Sequence, residues 1–335
     1  MTYVASFVKV ISITGLRFST QFMGDSSTDT ADSLSGTDKG CIVSSALGRM
    51  MMQADARMNL GPASNICMFG TCDFAIAGDV IMDVADSMSS IPVPMLYDLR
   101  IPGWVDDGTV AIVMTDSSED SRIIIESLFR RGCMTVVIAP EGVMFDNFPG
   151  VFVVRIPDSC DAVGRIGFCI GTLAAIMSET GIIDMSEVLR MSSDEIKSYF
   201  TDDGRVADIV EILSGNVPAI YSTSDIHACS KWWKHVLGDC AQDLSFFGEL
   251  PEFDHNELVG WSDPNVHAPE LRMVVLRSGS ESKIVLDIVS CMVEVLDENG
   301  RRATVVDLGG GSTLAIDLKG ILLGSMVAHR LKEAA

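Results

Sequence analysis

The sequence predicts an α/β protein of two tandem units, each an open parallel sheet flanked by helices, Rossmann-like and doubly wound. Three observations carry this. Short, continuously apolar runs alternate with stretches of helical period, and continuous runs mark strands buried on both faces of a parallel sheet. The rhythm breaks into a polar, helical connector over residues 184–215 and then restarts. The chain has 335 residues, of which 47% are apolar, enough to build two cores.

The elements follow in order. Residues 1–43 are read as an N-terminal segment and flexible loop. The first eighteen residues are apolar but lack a basic n-region and are interrupted by Lys9 and Arg17, so they read as the start of a soluble protein, not a signal peptide. Residues 24–40 are rich in Ser, Thr, Asp and Gly and read as a loop. The first domain is placed at 44–200. It starts with a helical stretch at 44–59, followed by strands at 65–69, 93–97, 109–114, 134–139 and 151–156. One helix, 118–131, lies between two of them, and another, 163–179, closes the set. The second domain, 201–335, has strands at 217–221, 272–277 and 303–307, with helices at 225–243, 282–296 and 314–331. Ligands of such sheets sit beyond the carboxyl ends of the strands, which directs attention to the loops after residues 69, 114, 221 and 247.

Charge and composition exclude several partners. With 24 basic against 46 acidic residues the formal net charge is −22, which repels nucleic-acid phosphates and anionic lipid. No apolar run approaches the ~20 residues that span a bilayer; the longest, 166–177, contains Gly167 and Gly171. The nine cysteines include no C-x-x-C pair and mostly lie in apolar runs, as buried free thiols of a reducing cytoplasm do. The five histidines show no metal-ligand spacing, so no metal and no cofactor is expected.

Two loops carry candidate ligand chemistry. Thr115, Ser117, Ser118 and Ser121 lead from a strand into a helix, where hydroxyls, orphan amides and the helix dipole suit an anion. The same residues also suit an ordinary helix cap. Gly70 opens a strand–glycine–helix turn that lets a ligand approach the backbone, and Asp307 to Thr313 reads as a flexible turn. The segment 245–261, SFFGELPEFDHNELVGW, is the most specific. It packs Glu249, Glu252, Asp254, His255 and Glu257 between apolar anchors, a pattern that fits acid–base chemistry or a solvated loop. Met50 to Met52 and Met58 read as gap-filling packing or a dimer face, Trp232 and Trp233 as packing anchors, and Lys231 and Lys234 as a solvated face, with a face turned to an anionic ligand as the alternative.

GELPEFDHNELVGW resembles, almost residue for residue, the second half of the SIS-domain bifunctional phosphoglucose/phosphomannose isomerases. The resemblance covers roughly 44–331 and implies two SIS domains, a phosphosugar between them, a homodimer, and aldose–ketose isomerisation through a cis-enediol without metal. It makes His255 the ring-opening histidine, donated by the other subunit. Sixteen residues upstream, Asp239 stands where the family has its glutamate base. Arg165 matches the arginine that stabilises the enediolate, and Thr115, Ser117 and Ser118 match the phosphate-binding hydroxyls. The departures are Cys72, Asp73 and Phe74 in a first loop that is glycine-rich in the family, and Asp116 for a glycine in the second. Asp73 and Asp116 oppose a phosphate, Phe74 fills space it needs, and Asp239 is one methylene short. The pattern is similar to a divergent branch such as the SIS-like proteins of actinobacteria.

Two functions follow. One is a hexose 6-phosphate isomerase, with Thr115–Ser121 on the phosphate, Asp239 moving the proton between C1 and C2, His255 opening the ring and Arg165 on the oxyanion. The other is a non-catalytic SIS module that binds a phosphosugar or related carbohydrate derivative.

Overall fold

A computed structural model of the chain describes residues 9–11, 47–49, 51–52, 58–98, 100–143, 145, 148, 150–157, 160–197, 199, 203–263, 270–301 and 303–334. The first unit runs β1 (Lys9–Ile11), β2 (Asn65–Phe69), α1 (Cys72–Met88), β3 (Met95–Leu96), β4 (Thr109–Met114), α2 (Ser118–Arg130), β5 (Met134–Pro140), β6 (Val151–Ile156) and α3 (Ala162–Glu179). Helices α4 (Ser186–Lys197) and α5 (Asp203–Leu213) form the connector. The second unit begins with β7 (Val217–Thr223), α6 (His227–Val236), β8 (Phe246–Leu250), α7 (Glu252–Asn256) and α8 (Leu258–Ser262). It ends with β9 (Leu271–Arg277), α9 (Lys283–Glu298), β10 (Ala303–Asp307) and α10 (Thr313–Ala334).

Both sheets are parallel throughout, in the orders β1-β6-β5-β4-β2-β3 and β10-β9-β7-β8. The reason the strands read as unbroken apolar runs is visible in β2. Ile66 and Met68 feed the core between the sheets, while Cys67 and Phe69 feed a second core on the outer face. Alternate residues point to opposite faces, and here both faces are covered by helices. The inner core is shared: α1 and α3 pack together, α1 packs on α6, and α6 packs on α10. Trp232 and Trp233 of α6 are 1% and 0% exposed, and their indole N–H groups donate to Ile321 O and Gly320 O, each at 2.9 Å. Truncating either indole to alanine costs roughly 3–5 kcal/mol. Met51 and Met58 are buried and Met52 is exposed. Helix α3 is long and apolar enough to cross a membrane, yet 72% of it is buried inside the protein.

The departures from the expected elements have local causes. The strand expected at 93–97 shortens to β3 because Pro92 and Pro94 supply no backbone donor. Strands β1 and β8 were not expected, and the helix that the turn at Gly70 implied is α1. Strand β8 is an edge strand on which only Leu250 is buried, so it lacks a continuous apolar signature. The single helix expected over 225–243 divides into a 3₁₀ turn (Ser224–Ile226), α6 and a π-helical turn (Leu237–Ala241). Of the helical stretch 44–59, residues 47–49 and 51–52 are described and helical; the loop at 24–40 lies outside the described residues.

Candidate functional site

The first sheet reverses direction at β2, which lies between β3 on one side and β4 on the other. Such a switch point opens a crevice at the carboxyl ends of the strands. A cavity of about 50 Å³ lies there, lined by Gly70 and Thr71 after β2, Tyr97 and Asp98 after β3, Thr115 after β4, and Ser121 of α2, among others. Gly70 sits in close quarters: a Cβ there would lie 3.3 Å from Met114 O.

The hydroxyl loop is tied to itself. Thr115 Oγ1 accepts from Ser117 N at 3.0 Å and donates to Ser117 O at 2.9 Å, and Ser121 Oγ donates to the same carbonyl at 2.6 Å. Thr115 and Ser121 line the cavity, whereas Ser117 is the backbone pivot that holds them. Ser118 is the first residue of α2, and Asp116 is exposed.

At the start of α1, Cys72 takes a left-handed φ of 55°. Asp73, 6% exposed, accepts from Arg165 Nε at 2.8 Å. Phe74, expected to fill the phosphate space, is instead turned into the inner core at 2% exposure, with the Arg165 guanidinium 5.9 Å from its ring centroid. That obstacle is therefore absent, and the charge of Asp73 is paired. Arg165 sits in the first turn of α3, whose cap is Asp161 accepting from Gly164 N at 2.7 Å.

The structure thus brings Gly70, Thr115 and Ser121 to one cavity, and pairs Arg165 of α3 with Asp73 in the first turn of α1. Asp239 and His255 do not line the cavity within one chain. Asp239 is exposed in the π-helical turn, and His255 is exposed on α7. The His255 segment is anchored by Leu250 and Phe253, which are buried. Phe253 meets Tyr221 edge-on at 4.7 Å, and the Tyr221 hydroxyl donates to Glu257. Burial and that carboxylate push the Tyr221 phenol well above its ordinary pKa.

One polar cluster escaped the sequence reading. Between α1 and α6, at the junction of the two units, His227 bonds Asp83 through Nδ1 and Asp79 Oδ1 through Nε2 at 3.3 Å. Asp83 also accepts from Ala228 N at 3.1 Å. Lys231 Nζ donates to Asp79 Oδ1 at 3.3 Å and to the Tyr97 hydroxyl at 2.9 Å, and that hydroxyl bonds Asp79 in turn. Burial works against charge on His227, but the two carboxylates outweigh it and raise its pKa to about 9. Burial lifts Asp83 to about 6 against the pull of His227. Lys231 is not on a solvated face: its side chain is 20% exposed. The available signal was a matched spacing. Asp79 and Asp83 are four apart on an apolar helix, and so are His227 and Lys231 on the facing one, which puts each pair on one face.

Two parallel sheets flanked by helices, with a hydroxyl-lined cavity at the switch point of the first, define an α/β protein of two Rossmann-like units. Solved structures agree in fold. The chain matches glucosamine-6-phosphate deaminase from Thermotoga maritima with a TM-score of 0.62 at 11% identity, covering 90% of this chain and 95% of that one. It matches tagatose-6-phosphate ketose/aldose isomerase from Escherichia coli with a TM-score of 0.61 at 13% identity, covering 92% and 95%.

Residues 204–334 match the family model of the bacterial phospho-glucose isomerase C-terminal SIS domain. The chain is also similar to the bifunctional phosphoglucose/phosphomannose isomerase of Aquifex aeolicus, at 21% identity over 83% of this chain and 87% of the relative. The protein of the same name from Caldicellulosiruptor bescii is 22% identical over 66% and 70%. The resemblance seen in GELPEFDHNELVGW therefore extends over most of the chain.

Proposed function

We propose that this chain is a phosphosugar isomerase that interconverts glucose or mannose 6-phosphate with fructose 6-phosphate through a cis-enediol. The observation that carries the reading is the switch-point cavity formed by Gly70, Thr115 and Ser121 in a chain whose second half matches an isomerase domain. The cavity has room for a phosphate-sized group, and in this reading the sugar extends outward from it. Thr115, Ser117, Ser118 and Ser121 hold the phosphate, and α2's N-terminal amides face it. Arg165 stabilises the oxyanion, Asp239 carries the proton between C1 and C2, and His255 opens the ring.

His255 acts across a homodimer in this reading. Support comes from the surface around it: Leu244, Phe246, Phe247 and Val259 are exposed apolar residues on or beside the edge strand β8 and the short helices after it. A second copy covers such a patch. The setting is cytoplasmic, with no nucleic-acid or membrane partner.

A coupled assay with fructose 6-phosphate tests the reading. Turnover by the unaltered chain and loss in Asp239→Asn is the expected result; no turnover above the variant overturns it. Two observations favour the alternative of a non-catalytic binding module: Arg165 is already held by Asp73, and Asp239 is exposed. Calorimetric binding of the hexose 6-phosphates without turnover would establish that alternative.

A further inference from the structure

We propose that Lys231, reaching across from the second unit, is the residue that selects an anionic ligand in the switch-point cavity of the first. The proposal rests on the reading that this cavity takes the phosphate end of a sugar.

No Lys or Arg is among the described residues that line the cavity, while Asp98 is. Asp98 is itself paired with Arg100, Nε to Oδ2 at 2.6 Å, and hydroxyls alone do not compensate a phosphate dianion, so a cation has to come from outside the lining. Two cations touch the wall: Arg100 is held by Asp98 with its side chain 91% exposed, whereas Lys231 meets Tyr97 from the second unit. Its ammonium lies 2.9 Å from the Tyr97 hydroxyl and 4.9 Å from the centroid of the Tyr97 ring, and Tyr97 is a wall residue, half exposed. An ammonium has three N–H donors. Among the described residues, two are engaged, by Asp79 and by Tyr97.

The network behind it sets the charge of the wall. Asp79 is fully buried and shared by Tyr97, His227 and Lys231, and Asp83 holds the other side of His227. Two carboxylates against an imidazolium and an ammonium make a neutral set. Removing Lys231 alone therefore does two things: it deletes a donor and leaves a net negative cluster behind Tyr97. Both act against an anion and neither acts against a neutral sugar. Replacement by arginine keeps the charge.

The test is calorimetric titration of the full chain with inorganic phosphate, glucose 6-phosphate and glucose, for the unaltered protein and for Lys231→Met, Lys231→Arg and Tyr97→Phe. Lys231→Met is expected to weaken both anions roughly 10- to 100-fold, the range of a lost charged hydrogen bond. Lys231→Arg is expected to retain most of the affinity. If the unaltered chain binds the anions and Lys231→Met binds them within twofold, the assignment of Lys231 falls and the functional reading stands. If the unaltered chain binds neither anion, the functional reading falls first. Tyr97→Phe keeps the ammonium and Asp79 and checks for a merely structural role. Retained anion affinity supports the assignment; a loss equal to that of Lys231→Met overturns it, because a collapsed wall then accounts for both.

Discussion

Arg165 of α3 and Asp73 of α1 form an ion pair, Nε to Oδ2 at 2.8 Å, in which the carboxylate side chain is 7% exposed and the guanidinium side chain 34%. The pair joins two helices that pack together on the inner core. The guanidinium that the family resemblance assigns to an oxyanion is thus committed to an acid of its own chain.

The two ends of this pair respond differently to mutation. Arg165→Met leaves a nearly buried carboxylate without its charged partner and should cost about 1–3 kcal/mol, the desolvation penalty of an unmet group. Asp73→Asn keeps an acceptor for Nε and should cost less. Denaturant unfolding of both single variants and the double variant measures the coupling; additivity of the two losses would show the pair to be energetically silent.

His227 predicts a pH dependence of stability. Its folded pKa is raised from 6.5 to about 9, so the native state holds the proton more tightly than the unfolded chain. The resulting stability is fully present below about pH 6.5 and is lost as pH rises through about 9. Asp83, raised from 3.8 to about 6, also favours the protonated native form, but its contribution is lost earlier, between those two values. Between pH 6.5 and 9.5 the Tm should therefore fall. His227→Gln should flatten that slope while lowering stability by roughly 3–5 kcal/mol, because it leaves two buried carboxylates with one cation fewer. A wild-type slope that survives in His227→Gln would assign it to other groups.

The fold was legible because its strands are apolar on both faces: the Thr109–Met114 strand is buried at all six positions, and its two ends are bounded by polar turns. Elements that lack this property were not legible. Phe246–Leu250 is an edge strand carrying Gly248 and Glu249, and its aromatic residues face outward. The hydroxyl loop was legible from composition, and Thr115 and Ser121 do line the cavity. The cluster of Asp79 and Asp83 with His227 and Lys231 was not, because its bonded partners on the two helices lie 144 to 152 residues apart and meet only when α1 and α6 pack. Nor could the sequence show that Phe74 turns inward, two residues after the left-handed Cys72.

Thiol chemistry should separate the cysteines by burial. Cys72 and Cys291 are exposed, whereas Cys67, Cys169 and Cys229 are fully buried. Burial, with Cys133 nearby, pushes the Cys67 thiol up to about 12, so almost none is present as the reactive thiolate near neutrality. Brief alkylation of the native protein with iodoacetamide, read by peptide mass spectrometry, should modify Cys72 and Cys291 and spare the three buried thiols. Unfolding in denaturant should expose all five. Rapid native labelling of Cys67 would contradict the packing of the first sheet against its outer core.

The seam between α6 and α10 is set by a glycine. A Cβ on Gly324 would lie 2.6 Å from Cδ1 and Nε1 of Trp233, an indole that is fully buried and donates to Gly320 O at 2.9 Å. A rigid ring fixed by its own hydrogen bond cannot move aside as a flexible chain end does, so Gly324→Ala should destabilise by roughly 1–3 kcal/mol through overpacking. The gain in helix propensity, about 1 kcal/mol for glycine to alanine, opposes this and is the smaller effect here. Gly260→Ala is the control, since nothing lies within 4 Å of its Cβ position; it should be neutral or mildly stabilising. Trp233→Phe should absorb part of the Gly324→Ala penalty, giving a double variant less destabilised than the sum of its parts. Strict additivity, or a Gly324→Ala protein as stable as the parent, would mean that the two helices do not meet at this position.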